Sequence, residues 1–227
     1  MRFKKILRRM LSTMCAAVLA LSMVSCGNDH SKKSSSGSSS SSKADSSSEI
    51  AVDENKSFII AFYPEYAPES CEHVEELVKK GFYNGLTFHR VYPSFMAQCG
   101  VYTASGEARA DSKMIKGEFS QNGYTKNTLK HNRGVVSMAR ANNPNSASSQ
   151  FFICYRDNLD YLDGKYAAFG KVTKGMEVID GFLEIERKMG GIDDIPTTPT
   201  KPIVILKAEM IEDDSEGHHQ AKFYMQY

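Results

Sequence analysis

Short runs of residues that favour β-strands, each ended by turn-forming residues, recur along residues 57–211. The runs span residues 57–63, 86–92, 95–98, 133–140, 149–155, 165–172 and 201–211. Helical spacing of apolar residues is confined to two segments, one between Pro68 and Gly81 and one over residues 175–189. Many short strands with few helices favour an antiparallel sheet that closes into a barrel, with the helices over its ends. We therefore expect a mainly β fold.

Composition separates this domain from the segments on either side. Residues 31–48 are mostly serine and hold no large apolar side chain, so they cannot bury enough surface to offset the entropy lost on ordering. We predict a flexible tether over residues 26–56 and a folded domain over residues 57–211. Residues 212–227 begin with a polar run and show no periodicity, which predicts a frayed C-terminal tail.

The N-terminus has the pattern of a secretory signal. Residues 1–10 are rich in lysine and arginine, residues 11–25 carry no charge, and Cys26 follows. The end of the apolar run, MVSC, resembles the lipobox of bacterial lipoproteins, although Met23 stands where leucine is preferred. This resemblance implies a signal peptide over residues 1–25 and lipid attachment at Cys26. We expect an extracytoplasmic domain that is lipid-anchored to the bacterial cell membrane; the alternatives are an ordinary cleaved signal and an uncleaved anchor.

Charge and cysteine content limit the partners that the sequence predicts. The formal net charge is +1 and 24% of the residues are charged, so no basic field indicates a nucleic-acid partner. No glycine-rich phosphate loop follows a strand, and we predict neither a cofactor nor a metal. Beyond the N-terminal segments, Cys71, Cys99 and Cys154 have a spacing that fits no metal motif. We expect buried thiols, with a disulfide between two of them as the alternative, and a monomer.

The stretch FHRVYPSFMAQCG, residues 88–100, places an arginine in an otherwise apolar run. Its Pro-Ser turn can reverse the chain so that Arg90 lies within about one residue of being opposite Gln98. Buried arginines are rare unless they are paired or functional, and the residues alone leave both roles open for Arg90. His89 points to the opposite face of the strand and is interpreted as structural. Because no nucleophile motif is visible, catalysis here would need no covalent step.

Three segments resemble, in order, motifs of the cyclophilin-type peptidyl-prolyl cis–trans isomerases. They are FHRVYPSFMAQCG, SMARANNPNSASSQFFIC and LDGKYAAFGKVTKGMEVID. The resemblance covers nearly all of residues 57–211 and implies an eight-stranded antiparallel closed β-barrel capped by two α-helices. It also implies that Arg90 is catalytic, because a hydrogen bond donated to the pyramidal prolyl nitrogen stabilises the twisted transition state more than either planar isomer.

The resemblance further implies a peptide-binding surface. Its members are Phe95, Met96, Gln98, Ala139, Arg140, Gln150, Phe152, Leu162 and Tyr166. The apolar members would hold the proline ring, the two glutamines would bind the peptide, and residues 139–140 would meet the substrate backbone. Tyr166 stands where many family members have histidine, which implies an altered substrate preference.

The function implied by this resemblance is a peptidyl-prolyl isomerase that assists the folding of exported proteins. Its partners would be proline-containing peptides and unfolded exported proteins. The alternative is a non-catalytic module that binds proline-containing segments, as a surface chaperone or an adhesin. A hydrolase ranks behind both, because the sequence displays no set of nucleophile and base.

Overall fold

The computed structural model describes residues 51–109, 111–191 and 193–227. The strands in these residues are β1 (Ser57–Phe62), β2 (Leu86–Tyr92), β3 (Met96–Thr103), β4 (Val135–Met138), β5 (Phe151–Cys154), β6 (Ala168–Lys174), β7 (Arg187–Lys188), β8 (Thr198–Pro199), β9 (Val204–Ile211) and β10 (Gln220–Gln226). Eight of them close into an antiparallel barrel in the order β1-β10-β9-β2-β3-β5-β4-β6, and β6 pairs with β1. Strands β7 and β8 form a separate two-stranded sheet. The predicted fold class is therefore confirmed.

Two helices accompany the barrel in the described residues, α1 (Pro68–Lys79) and α2 (Met176–Gly181). The second helix is much shorter than the predicted one, which extended over residues 175–189. A 3-10 turn follows over Phe182–Glu184, and the backbone becomes extended at Ile185. This change lets Arg187 pair with Pro199 of β8, so pairing between strands replaces helical hydrogen bonds at the end of the segment.

A distant carboxylate caps the first helix. Pro68 begins α1, and Ala67 before it offers no capping side chain. Glu118 instead accepts hydrogen bonds from the backbone N–H groups of Glu69 and Ser70 at 3.0 and 2.8 Å, and from the Ser70 hydroxyl at 2.6 Å. The first N–H groups of a helix have no partner within it, and negative charge is favourable at that end. The helix is thus fastened to the segment that carries Phe119, a neighbour of the candidate site.

The C-terminal segment completes the barrel, and the prediction of a frayed tail over residues 212–227 is wrong. Strand β10 pairs with both β1 and β9. Ala221, Phe223 and Met225 alternate along it and are at most 1% exposed. A strand with one buried face requires only that apolar residues alternate along it. Here the alternation is short and follows a polar turn, so it is not evident from the sequence. Of residues 212–227, only the turn between β9 and β10, residues 212–219, and the last residue, Tyr227, lie outside the strands.

The other end of the predicted domain also lies outside its expected bounds. Asp53 caps a 3-10 turn over Glu54–Lys56, and the Lys56 ammonium donates to the Tyr227 carbonyl at 3.3 Å. The folded domain therefore begins before the predicted boundary at Ser57. The predicted signal peptide, Cys26 and the tether up to residue 50 lie outside the described residues. Within the described part of the chain, no helix has the length and apolar character to cross a membrane.

Two apolar clusters lie on opposite sides of the barrel wall. The larger one fills the interior, where aromatic rings from several strands meet; Phe58 and Phe223 stack at 5.1 Å between ring centroids. The smaller one lies outside and contains Met96, Phe152 and Leu162. Successive residues of a strand face opposite sides, so Phe151 joins the interior and Phe152 the outer cluster. Cys71, Cys99 and Cys154 are free and buried, as predicted.

Candidate functional site

The β2–β3 hairpin brings Arg90 opposite Gln98, as the sequence predicts. The Arg90 Nη1–H donates to Gln98 Oε1 at 3.3 Å, and Gln98 Nε2–H donates onward to Gln150 Oε1 at 3.0 Å. This chain of hydrogen bonds joins β2, β3 and the residue before β5, and it fixes the orientation of the Gln98 amide because that oxygen accepts and that nitrogen donates. Three predicted site residues thus form one connected polar group.

The predicted apolar residues also come together, in the outer cluster beside this polar group. The rings of Phe95 and Phe152 lie 6.5 Å apart, and those of Phe152 and Tyr166 lie 5.9 Å apart in an edge-to-face arrangement. Met96 and Phe152 have no exposed surface, and Leu162 is 1% exposed. We call Phe95, Met96, Phe152, Leu162 and Tyr166 the apolar seat. Phe95 alone among them is partly exposed, so the seat is largely covered.

Residues 139–140 lie next to the seat at the end of β4. The Ala139 N–H donates to the Gln150 carbonyl at 2.9 Å. The Arg140 guanidinium lies over the ring of Tyr166 at 4.6 Å and over that of Phe119 at 5.1 Å, and its Nε–H donates to the Lys165 carbonyl at 3.0 Å. Stacking of a guanidinium on aromatic faces is favourable. Arg140 therefore holds the Tyr166 ring in place from the side of the 139–140 segment.

Arg90 has a second partner that the sequence did not reveal. Its Nε–H and Nη2–H donate to the two carboxylate oxygens of Asp193 at 2.7 and 2.5 Å. The Arg90 side chain is 17% exposed and that of Asp193 is 6% exposed. A buried arginine requires a carboxylate or comparable partner, but this rule names no particular residue. Asp193 lies in the loop between β7 and β8, with no local motif to mark it.

A cavity of about 560 Å³ borders Arg90. Arg90, Gln98, Gln150 and Asp193 line it, together with His89, and no member of the seat does. Burial, and next the charge of Arg90, lower the pKa of His89 to about 4. His89 is consequently a neutral imidazole near pH 7, which agrees with its interpretation as a residue without a proton-transfer role.

A Ser-His-Asp arrangement, also missed at the sequence level, lies beneath the seat. His131 Nδ1 is 2.8 Å from Asp163 Oδ1, and His131 Nε2 is 3.0 Å from the Ser137 hydroxyl. Ser137 is 0% and His131 1% exposed, so no substrate can reach this serine. Burial lowers the pKa of His131, and its neutral ring stacks on Phe152 at 6.1 Å. The network supports the floor of the seat and is not a hydrolytic centre.

The described residues contain no cluster of side chains that could bind a metal ion. Across residues 51–109, 111–191 and 193–227, no group of three or more histidine, cysteine, aspartate or glutamate side chains could hold a metal ion. The arrangement offers hydrogen-bond donors next to an apolar surface, which is suited to binding and to electrostatic stabilisation of a non-covalent transition state.

Sequence comparisons place these features among known proteins. The family model described as "Cyclophilin type peptidyl-prolyl cis-trans isomerase/CLD" matches residues 47–210. A "Peptidyl-prolyl cis-trans isomerase" of Acinetobacter baylyi is 40% identical over 151 residues, which cover 64% of this chain and 77% of that protein. The "Peptidyl-prolyl cis-trans isomerase A" of Dickeya dadantii is 39% identical over 168 residues, 72% of this chain and 79% of that one.

Among solved structures, a cyclophilin type peptidyl-prolyl cis-trans isomerase of Cryptosporidium parvum, crystallised in the presence of the dipeptide Ala-Pro, matches with a TM-score of 0.48. It is 24% identical, and the match covers 65% of this chain and 91% of that one. The match to the family model extends over more than half of the chain and includes Arg90, both glutamines and the whole apolar seat. The chain therefore belongs to the family of cyclophilin-type peptidyl-prolyl cis–trans isomerases.

Proposed function

We propose that this isomerase acts without a covalent step, through a hydrogen bond from Arg90 to the prolyl nitrogen of a twisting X–Pro bond. Loss of amide resonance makes the uncatalysed barrier about 18–20 kcal/mol. The lone pair of the nitrogen becomes available only in the twisted state, so a donor aimed at it binds the transition state better than the substrate. The observation that carries the proposal is that Arg90 is hydrogen-bonded to Gln98, which pairs across β3 and β5 with Phe152 of the apolar seat.

Arg90 retains donors for this role. A guanidinium has five N–H donors, and the bonds to Asp193 and Gln98 use one each from Nε, Nη1 and Nη2. One N–H on each terminal nitrogen remains for a substrate. Arginine is also charged at every physiological pH, so its donors need no activation.

We propose that the proline ring binds in the apolar seat and that Gln98, Gln150 and the backbone of residues 139–140 bind the flanking peptide. Because Met96 and Phe152 are fully covered, the ring must displace the partly exposed side chains of Phe95 and Tyr161, whose rings lie 6.0 Å apart. The substrate class is then peptides with an accessible X–Pro bond. A site that reads mainly the proline ring is suited to many unfolded chains.

We further propose that the domain works outside the cytoplasm on unfolded exported proteins, anchored by lipid at Cys26. The support is the N-terminal sequence: a basic start, an uncharged run and a cysteine, followed by the serine-rich tether. Mass spectrometry of the mature N-terminus tests whether Cys26 carries lipid. An unacylated chain that begins at another residue would refute the proposed anchor. We expect a monomer with no nucleic-acid partner, which light scattering and a nucleic-acid titration would check.

The test of the mechanism is the rate of cis–trans exchange in a short X–Pro peptide, measured by NMR exchange spectroscopy with the purified protein. We expect Arg90→Ala to lower the catalysed rate on the order of 10²–10³-fold, as removal of one preorganised donor does elsewhere. Arg90→Lys should recover little, because an ammonium cannot keep the forked contact with Asp193. An unchanged rate in Arg90→Ala would refute the mechanism. Peptide binding without any acceleration by the wild-type protein would favour the binding module.

A further inference from the structure

We infer that Asp193 is a positioning residue for the isomerase reaction, because it fixes the direction in which the Arg90 guanidinium presents its remaining donors. The inference rests on the proposed role of Arg90. It concerns a residue outside the three sequence motifs, on a loop that contributes nothing to the apolar seat.

The contact between Asp193 and Arg90 is bidentate. The two Asp193 oxygens accept from Nε and Nη2 at 2.7 and 2.5 Å, which is the forked, bidentate arrangement that sets the plane of the guanidinium as well as its distance. The Gln98 oxygen accepts from Nη1 at 3.3 Å and is a single, longer contact. Of the two partners, Asp193 therefore sets the orientation more strongly.

Asp193 is itself held in place by Thr197, which is hydrogen-bonded to the strand that carries Arg90. The Thr197 hydroxyl donates to Asp193 Oδ2 at 2.6 Å, and Thr197 is 1% exposed. The Val91 N–H, next to Arg90 in the chain, donates to the Thr197 carbonyl at 2.8 Å. The carboxylate and the guanidinium are thus linked through Thr197 and Val91 as well as by their direct contact.

The cavity of about 560 Å³ beside Arg90 leaves the guanidinium room to move. Arg90 lines this cavity together with Gln98, Gln150 and Asp193, so open space borders the guanidinium. Packing would not stop the long side chain from rotating into that space, so the carboxylate must supply the restraint. A displacement of about 1 Å in a catalytic group can cost on the order of 10²-fold in rate.

Two opposing effects of the ion pair decide the sign of the expected result. The bidentate contact orients the donors, which raises the rate, whereas the negative charge weakens the pull of the guanidinium on the prolyl nitrogen, which lowers it. We infer that orientation dominates, since the remaining N–H donors are useful only in the direction of the substrate. Removal of the carboxylate must then slow the reaction.

The test compares Asp193→Asn with Asp194→Asn, a matched control at the next residue, whose carboxylate accepts from the Tyr92 hydroxyl at 3.3 Å in an exposed position. We expect kcat for X–Pro exchange to fall on the order of 10-fold in Asp193→Asn with KM within about twofold, and both constants to stay within about twofold in the control. Asp193→Glu, which keeps the charge, should recover part of kcat. A loss no larger than that of the control, a rise in kcat, or a rise in KM alone would overturn the inference.

A spectroscopic measurement separates this inference from the function itself. The NMR signals of the Arg90 Nε–Hε and Nη–H groups can be assigned by their loss in Arg90→Lys. In the wild-type protein they should show slow rotation about the guanidinium bonds. This slow rotation should be lost in Asp193→Asn and retained in the control, Asp194→Asn. Fast rotation in the wild type would refute the restraint of Arg90 by Asp193. If the wild type catalyses nothing, the proposed function fails, while these signals still show whether Asp193 restrains the guanidinium. If Asp193→Asn does not fold, Thr197→Val replaces it in the test, because this variant lacks the hydroxyl that holds Asp193. Thr197→Val must then show a loss of kcat that is smaller than the loss expected for Asp193→Asn, or the inference fails.

Discussion

The pH dependence of stability should contain a measurable contribution from His89. Burial and the charge of Arg90 lower its pKa to about 4 in the folded protein, against about 6.5 in an unfolded chain. Between these values the unfolded chain binds a proton that the folded protein does not, so the free energy of unfolding decreases as the pH falls. The loss from this one group is about 1 kcal/mol at pH 5.5 and between about 2 and 3 kcal/mol at pH 4.5, and it levels off below pH 4 at about 3 kcal/mol.

The measurement is urea unfolding of the wild-type protein and His89→Gln at pH 7.5, 5.5 and 4.5. At pH 7.5 the imidazole is neutral in both states, so the difference between the two proteins there reports packing alone and is the internal control. The wild type should then lose between about 2 and 3 kcal/mol more than the variant on going to pH 4.5. Parallel curves for the two proteins would refute the reasoning, because they would mean that the folded protein accommodates a charged His89 beside Arg90.

Two further predictions concern contacts that hold the fold together, and both use urea unfolding at pH 7.5. Phe223→Ala should destabilise the protein by about 3–5 kcal/mol, as expected for a buried aromatic ring, with the exposed Gln226→Ala as control; equal stability of the two variants would mean that β10 does not close the barrel. Glu118→Gln should lower the free energy of unfolding by about 2 kcal/mol, because an amide cannot accept from all the donors at the start of α1. The control, Glu72→Gln on the exposed face of that helix, should change this free energy little.

The parts of the site that the sequence predicted are those fixed by local geometry. The turn between β2 and β3 sets the register of that hairpin, so the pairing of Arg90 with Gln98 follows from a stretch of a few residues. The place of Phe152 in the site was implied by the family resemblance, and the separation of Phe152 from the interior Phe151 is what alternation along a strand requires. In each case the decisive residues lie close together in the chain.

The parts that were missed depend on contacts between residues far apart in the chain. Asp193 is 103 residues from Arg90, and nothing in the loop that carries it marks one carboxylate as the partner. Strand β10 was missed because a polar turn precedes its short alternation of apolar residues, and its place in the barrel depends on pairing with β1 and β9. Ser137 and His131 are only six residues apart, but the partner that orients the histidine, Asp163, lies 32 residues further along.

The residues that would touch a substrate and the residues that hold them in place come from different parts of the chain. Arg90, Gln98 and the apolar seat supply the groups that would touch a substrate, and all lie in the motifs. The side chains that hold them come from elsewhere: Asp193 and Thr197 fix the guanidinium, and the buried His131 lies against the Phe152 ring. Since a donor contributes to the rate only in the right direction, substitutions in the β7–β8 loop should tune catalysis while leaving the substrate-binding surface intact. Proteins that share these motifs but differ in this loop should therefore differ in kcat more than in peptide affinity.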